Sequence, residues 1–213
     1  MKTWDIDKTE RELESAFKNN SEVELLDVLK KNSFLFYELY SRKCGIQPNF
    51  TEISFDGKLR CDFAWLNDNS DGPEWVLVEI EKPQIKLFIK DGNPSGELNR
   101  AIEQVRRWDR YFSENPDAKR RIFGAVAKFR YILVAGHDDW LTEDAINWRS
   151  HFNRENKIKI RTADIFKRAI KLAREHPEEL WSFEEHPISL KPSGLAQYCQ
   201  SNKYLDTYRK ILS

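Results

Sequence analysis

The sequence has little that would mark a membrane, secreted or nucleotide-hydrolysing protein. Its 213 residues contain no apolar run near the roughly 18 that a spanning helix needs. The opening residues, MKTWDIDKTERELE, carry charge and no apolar stretch, unlike a signal peptide, so the expectation is a cytoplasmic chain with no membrane partner. Three cysteines (Cys44, Cys61 and Cys199) form no CxxC spacing and cannot all pair; they suit a reducing compartment and suggest neither a disulfide framework nor a zinc site. His151, His176 and His186 show no metal-site spacing either. There is no GxxxxGK[ST] loop for a nucleoside triphosphate, no internal repeat and no low-complexity segment. Net charge is absent as well, with 35 Lys+Arg against 35 Asp+Glu.

Hydrophobic residues make up 40%, aromatics 13% and charged residues 33%. That composition argues for a folded domain, and a chain of this length buries roughly 70% of its unfolded surface. The zero net charge hides an asymmetry. Residues 1–100 hold 14 basic and 19 acidic residues, whereas residues 101–213 hold 21 and 16. An acidic half suits a metal and a basic half suits phosphate, although a chain this charged also produces local runs without function.

Periodicity outlines the elements. Leu13 and Phe17 share one face of a helix over 8–18, and Ser21 with Glu24 makes a capping box for a helix over 22–31. Ser33 is a candidate cap for a short helix carrying Phe34, Leu35, Tyr37, Leu39 and Tyr40. From about 50 the period becomes two: a strand over 50–55, an Asp56-Gly57 hairpin turn, a return strand over 58–66, a loop over 67–73, and a strand over 75–82 closed by Pro83. Leu98, Ala101, Val105, Trp108 and Phe112 form the core stripe of a helix over 96–113. A β-rich run lies within 122–135, a helix over 141–153 capped by Asp139 or Thr142, a short strand over 158–161 and a helix from Thr162 or Asp164 to about 175. The Pro-punctuated remainder ends in an amphipathic stretch around Tyr204, Tyr208 and Leu212. The order predicts an α/β fold with a mixed sheet.

Strand alternation places Asp62 on a face with Arg60 and Ala64, opposite Cys61, Phe63 and Trp65, and groups Leu77, Glu79 and Glu81 in the next strand. Two carboxylates at i and i+2 beside a third from a neighbouring strand repel one another. They read either as a solvated strand face or as ligands of a divalent cation. Mg²⁺ commonly takes one or two carboxylates, waters and substrate phosphate, and the Ile80 carbonyl would complete the protein's share. Glu79 ends the apolar run Trp75–Val78, where chance charges are unusual, and this favours the cation.

These residues match the PD-(D/E)xK nuclease signature, and the chain resembles the nuclease domain of the Shedu anti-phage defence family. The resemblance covers about residues 30–175. It rests on Leu59–Phe63, VLVEIEKP (76–83), the Phe88–Gly92 loop, ELNRAIEQVRRW (97–108) and the segment from Ile158 through Arg161 to Ile165. It implies a restriction-endonuclease-like core, with a mixed central β-sheet flanked by helices, over 49–175, between an N-terminal helical region (1–48) and a C-terminal arm (176–213). It also implies a homo-oligomer, dimer or tetramer, that hydrolyses DNA as a Mg²⁺- or Mn²⁺-dependent endodeoxyribonuclease. Asp62, Glu79, Ile80 and Glu81 become metal ligands. Glu81 stands where the motif more often has lysine; Lys82 faces the other way in a regular strand and could substitute only at a bulge. Gln104 falls near the active centre, with Arg100 and Arg107 as phosphate contacts on the same helix flank, and Arg60 as a further contact. Glu52 is a possible accessory carboxylate. Trp140, Trp148 and Trp181 suit either base stacking or subunit packing. The alternatives are a catalytically silent nuclease-fold module that binds nucleic acid or a protein, and a structural subunit whose C-terminal arm packs an oligomer.

Overall fold

The computed structural model describes residues 3–138 and 141–211. Asp139, Trp140 and Leu212, named above as a cap, a stacking candidate and an amphipathic position, lie outside the described residues. The helices are α1 (Ile6–Lys18), α2 (Glu22–Lys31), α3 (Gly96–Glu114), α4 (Pro116–Phe123), α5 (Glu143–Glu155), α6 (Asp164–Glu175), α7 (Leu195–Ser201) and α8 (Lys203–Ile211). The strands are β1 (Asn49–Phe55), β2 (Leu59–Asn69), β3 (Gly72–Ile80), β4 (Lys128–Val134) and β5 (Ile158–Arg161). They form one sheet in the order β1-β2-β3-β4-β5. β1, β2 and β3 are an antiparallel meander, whereas β3-β4 and β4-β5 are parallel. Parallel neighbours need crossovers, and α3 with α4, then α5, supply them. The result is the expected α/β architecture: a mixed sheet flanked by helices, consistent with a restriction-endonuclease-like core.

Each sheet face has its own core. One face buries Trp75, Leu77, Tyr131 and Leu133 under Leu98, Ala101, Val105 and Trp108 of α3, with Leu195, Cys199 and Leu205 of the C-terminal helices closing the same core. The other buries Phe63, Trp65, Val76, Val78 and Val134 under α1, α2, a 3-10 turn over Ser33–Leu39 and α6. Tyr40 stacks on Trp65 there, with ring centroids 4.5 Å apart. Each large apolar side chain so buried stabilises the fold by about 1.5–3 kcal/mol. Because β3 is covered on both faces, it reads as an unbroken apolar run and carries its charges only near its ends.

Local chemistry sets several boundaries. Asp56 and Gly57 both hold positive φ (54° and 72°), the hairpin geometry that an Asp-Gly pair favours. Ser21 caps α2 by accepting from Glu24 N at 3.2 Å, but the Glu24 carboxylate takes the Asn19 amide instead of completing a reciprocal box. Thr142 caps α5 through Ala145 N.

Two expectations are corrected. Ser33 caps nothing, and its buried hydroxyl has no hydrogen-bond partner among the described residues. The loop over 67–73 is mostly ladder, with Asn67 paired to Glu74 and Asn69 to Gly72. Its polar residues are accommodated because Asn67 donates to Glu74 at 2.9 Å and Tyr208 of α8 donates to the Ser70 carbonyl at 2.8 Å. Within the expected C-terminal arm, Leu190 runs beside β1: Thr51 N donates to the Leu190 carbonyl at 2.9 Å and Leu190 N to the Asn49 carbonyl at 2.8 Å. That contact covers an otherwise open sheet edge.

Candidate active site

The β2–β3 ladder runs from Asn69 and Gly72 to Phe63 and Val78, and it opens one residue later. At that point the Asp62 side chain replaces a backbone partner, its Oδ2 accepting from Ile80 N at 2.8 Å. Simple alternation fails here. Cys61 joins Ala64 and Leu66 in the core under α3, while Phe63 and Trp65 belong to the opposite core, so Cys61 does not share the face of Phe63 and Trp65 as alternation places it. The cause lies across the ladder. Glu52 of β1 holds φ +52°, and between the pairs Thr51–Phe63 and Ile53–Cys61 both strands reverse their facing. A non-glycine residue in that conformation is uncommon enough to mark a constrained position.

Glu79 is the penultimate residue of β3 and only 6% exposed; Asp62 is 7% exposed. One Glu79 oxygen accepts from the Gln104 amide of α3. The other, Oε2, is buried without a hydrogen-bond partner among the described residues. Burial raises the Glu79 pKa well above the ordinary carboxylate range, and Asp62, Glu81 and Glu22 push it further against the pull of Arg60. Asp62 is also raised, chiefly by burial, although the Ile80 N–H opposes the shift. Glu81, half-buried just past β3, is pushed up to about 7 by burial, then by Glu22 and Asp62. Buried carboxylates that repel one another and form no ion pair among the described residues are the arrangement a divalent cation relieves.

Among the described residues, no three His, Cys, Asp or Glu side chains converge into a group that could hold a metal ion by themselves. Asp62 and Glu79, with the Ile80 carbonyl, suit the smaller protein share that Mg²⁺ takes when waters and phosphate complete its octahedron. The unpartnered Glu79 oxygen is the feature that fits such an ion.

The other expected residues divide by partner. Gln104 touches Glu79 directly, and Arg100 and Arg107 lie about one helical turn to either side of it. Both arginines are exposed and form no ion pair among the described residues. Arg60 is instead engaged by Glu52 at 3.2 Å, and Glu52 also meets Lys30 at 3.3 Å. Glu52 is thus held by cations beside the carboxylates. Lys82 is exposed beyond the end of β3. His137 and Asp138 are structural partners of α6: His137 Nδ1 lies 3.1 Å from Asp164, and Asp138 N donates to Asp164 at 2.7 Å. Trp148 stacks on Phe152 at 4.9 Å, while Trp181 is 55% exposed.

Glu22 was not legible as a site residue. It is the first residue of α2, yet its charge raises the pKa of Asp62, Glu79 and Glu81 alike, so the N-terminal helices add negative potential to the neighbourhood of these carboxylates. An acidic residue in a first helical turn is ordinary, which is why nothing in the sequence singles it out.

A family model described as Shedu protein SduA, C-terminal, matches residues 19–166. The match covers more than half of the chain, from the end of α1 into α6, and includes every residue of the carboxylate cluster; the chain belongs to this family. Membership implies a role in anti-phage defence. No curated protein matches the chain.

Proposed function

Starting from that membership, we propose that the chain is a metal-dependent endonuclease that hydrolyses DNA phosphodiester bonds, with Mg²⁺ or Mn²⁺ held by Asp62, Glu79 and the Ile80 carbonyl. The observation that carries the reading is the Glu79 carboxylate: buried, beside Asp62, with one oxygen oriented by Gln104 and the other without a partner among the described residues. A divalent cation, when bound, supplies charge stabilisation to the phosphoryl oxygens and acidifies water.

The chain's own groups supply the rest. The Ile80 N–H fixes Asp62 at the opening of the ladder, and Gln104 fixes the rotamer of Glu79. Glu81 orients the attacking water and accepts its proton, a general-base role typically worth about 10²–10⁴-fold. Arg100 and Arg107 hold backbone phosphates along the exposed flank of α3, and Arg60 and Lys82 add positive charge at the rim. Activity in a homo-oligomer in the cytoplasm belongs to the same proposal.

Two observations favour a second reading, a silent nuclease-fold module that binds nucleic acid or a protein. No three acidic side chains close into a metal-holding group among the described residues, and Glu81 stands in the lysine slot. Cleavage of supercoiled plasmid and linear duplex, in Mg²⁺, Mn²⁺ or EDTA, separates the two. The endonuclease reading requires metal-dependent cutting that Glu79→Ala abolishes. Intact DNA binding with no cutting under any metal would establish the silent module instead.

A further inference from the structure

Arg149 and Arg168 meet at Asp138 near the β5 edge of the sheet, where Arg161 ends β5, and Arg130 stands on the neighbouring β4. Arg168 of α6 holds both oxygens of Glu38, at 2.7 and 2.9 Å, and reaches Asp138 at 3.3 Å. Arg149 of α5 takes the other Asp138 oxygen at 3.0 Å. Arg130 of β4 is paired with Glu74 at 2.9 Å and with the Ser41 hydroxyl at 2.7 Å. The local acids are therefore already engaged.

Arg161, the last residue of β5, is the exception. It is exposed and forms no ion pair among the described residues; the one hydrogen bond its guanidinium makes among them, at 3.1 Å, goes to the carbonyl of the preceding Ile160. A guanidinium offers five N–H donors in a fork that matches carboxylate or phosphate oxygens, so most of its capacity is unused. Partial desolvation and the neighbouring Arg149, then Arg130 and Arg168, push its pKa down, against the pull of Glu38.

Among the described residues, no acid holds Arg161 at this place. The outer edge of β5 is already closed by Asn153 of α5, which accepts from Ile160 N at 2.6 Å and donates to the Ile160 carbonyl at 3.1 Å. A cation kept among cations, without an ion pair among the described residues, implies an anion that arrives from outside.

Its position says which anion. Ile80 pairs with Val134, and Val134 pairs with Arg161. The Arg161 backbone thus stands two strand spacings, about 10 Å, from the carboxylate cluster, at the same end of the sheet. Both lie at the carboxyl ends of parallel strands, where open α/β sheets receive ligands. Ile158 and Ile160 face the core under α3, so Arg161 belongs to the opposite face from Arg100 and Arg107.

The geometry points to Arg161, flanked by Arg149 and Arg168, as a phosphate-binding site for the sugar-phosphate backbone of the strand being cut. This inference rests on the endonuclease reading of the carboxylate cluster. It extends the contact with nucleic acid across the sheet end, from the α3 flank to the β5 edge.

The test is binding of a fluorescent DNA duplex to the full chain in EDTA across a salt series, for wild type, Arg161→Ala and Arg161→Lys, with melting temperatures alongside. Arg161→Ala should weaken binding roughly tenfold at low salt and lower the slope of log K against log salt by about 0.9, one phosphate contact. Arg161→Lys should keep the slope while losing part of the affinity, because it retains charge without the fork. The melting temperature of Arg161→Ala should be unchanged or higher, since a repelled charge is removed. Unchanged affinity and slope in Arg161→Ala, or a clear fall in its melting temperature, would overturn the site, the latter by showing a structural arginine. If Arg161→Ala binds normally while Glu79→Ala abolishes cutting, this site fails and the endonuclease stands. If wild type neither binds nor cuts the duplex, both fall together.

Discussion

Glu74 and Glu79 are both buried glutamates of β3, 4% and 6% exposed and five residues apart. Their surroundings differ completely. Glu74 accepts from Asn67 at 2.9 Å, pairs with Arg130 at 2.9 Å and Lys128 at 3.8 Å, and has Asn69 within 3.4 Å. Its charge is matched by cations and its oxygens by donors. Glu79 has one amide, one buried oxygen without a partner among the described residues, and a set of carboxylates for neighbours. A buried charge persists in a fold when it is paired, or when something not yet present pairs with it. Glu74 meets the first condition and pins β3 to β4; Glu79, whose raised pKa favours the neutral form until a cation arrives, meets the second in the proposed reading. On that reading the same residue type on the same strand is structural at one end and chemical at the other.

That contrast can be broken in several ways. The largest effect expected is on turnover: Glu79→Ala should lower metal-dependent cleavage by about 10³-fold or more, above the usual cost of one preorganised electrostatic group, while Glu74→Ala leaves the rate per folded molecule within about threefold. Plasmid nicking at matched concentrations of folded protein reads both. Gln104→Ala comes next, with a loss of about 10–100-fold, the size seen when a group orienting a metal ligand is removed; a rate equal to wild type would mean the Gln104–Glu79 contact is incidental.

The stability effects reverse the order of the two glutamates. Glu74→Ala should destabilise by about 3 kcal/mol, because it strands Arg130 and two asparagines, and denaturant titration reads this directly. Glu79→Gln should stabilise the metal-free protein, by an amount that depends on pH. A carboxylate whose folded pKa stands above its ordinary 4.5 stabilises the fold when protonated, and that contribution is lost as the pH rises from there through the folded value. The melting temperature of Glu79→Gln should therefore gain on that of wild type between about pH 5 and pH 8, with Mg²⁺ narrowing the gap by raising wild type alone. A gap independent of pH would mean that Glu79 is not held against its charge.

Much of the fold was legible because its signals are local. The Asp56-Gly57 turn, the core stripe of α3, the Ser21 and Thr142 caps and the 158–161 strand each follow from short-range chemistry and stand where periodicity puts them. Residues 67–73 misled because polar side chains in a ladder look like a loop until their partners, Glu74 and the tyrosines of α8, are known. The Asp62 region misled for another reason: alternation assumes a regular strand, and the reversal is set by Glu52 on the strand across. Of the candidate site, Asp62, Glu79 and Gln104 were readable from spacing and resemblance; Gln104 touches Glu79, and Asp62 holds the Ile80 N–H one residue along β3 from it. Glu22 was not, since its link to the cluster is tertiary and no spacing in the chain encodes it.

The central claim is that Glu79 is kept buried and unmatched for a divalent cation. The most direct measurement is a Mn²⁺ binding isotherm, read by electron paramagnetic resonance of the free ion, on wild type, Glu79→Gln and Glu74→Gln. The account predicts saturable binding by wild type and Glu74→Gln and none by Glu79→Gln. Equal binding by all three proteins, or binding lost with Glu74 and kept without Glu79, would contradict it.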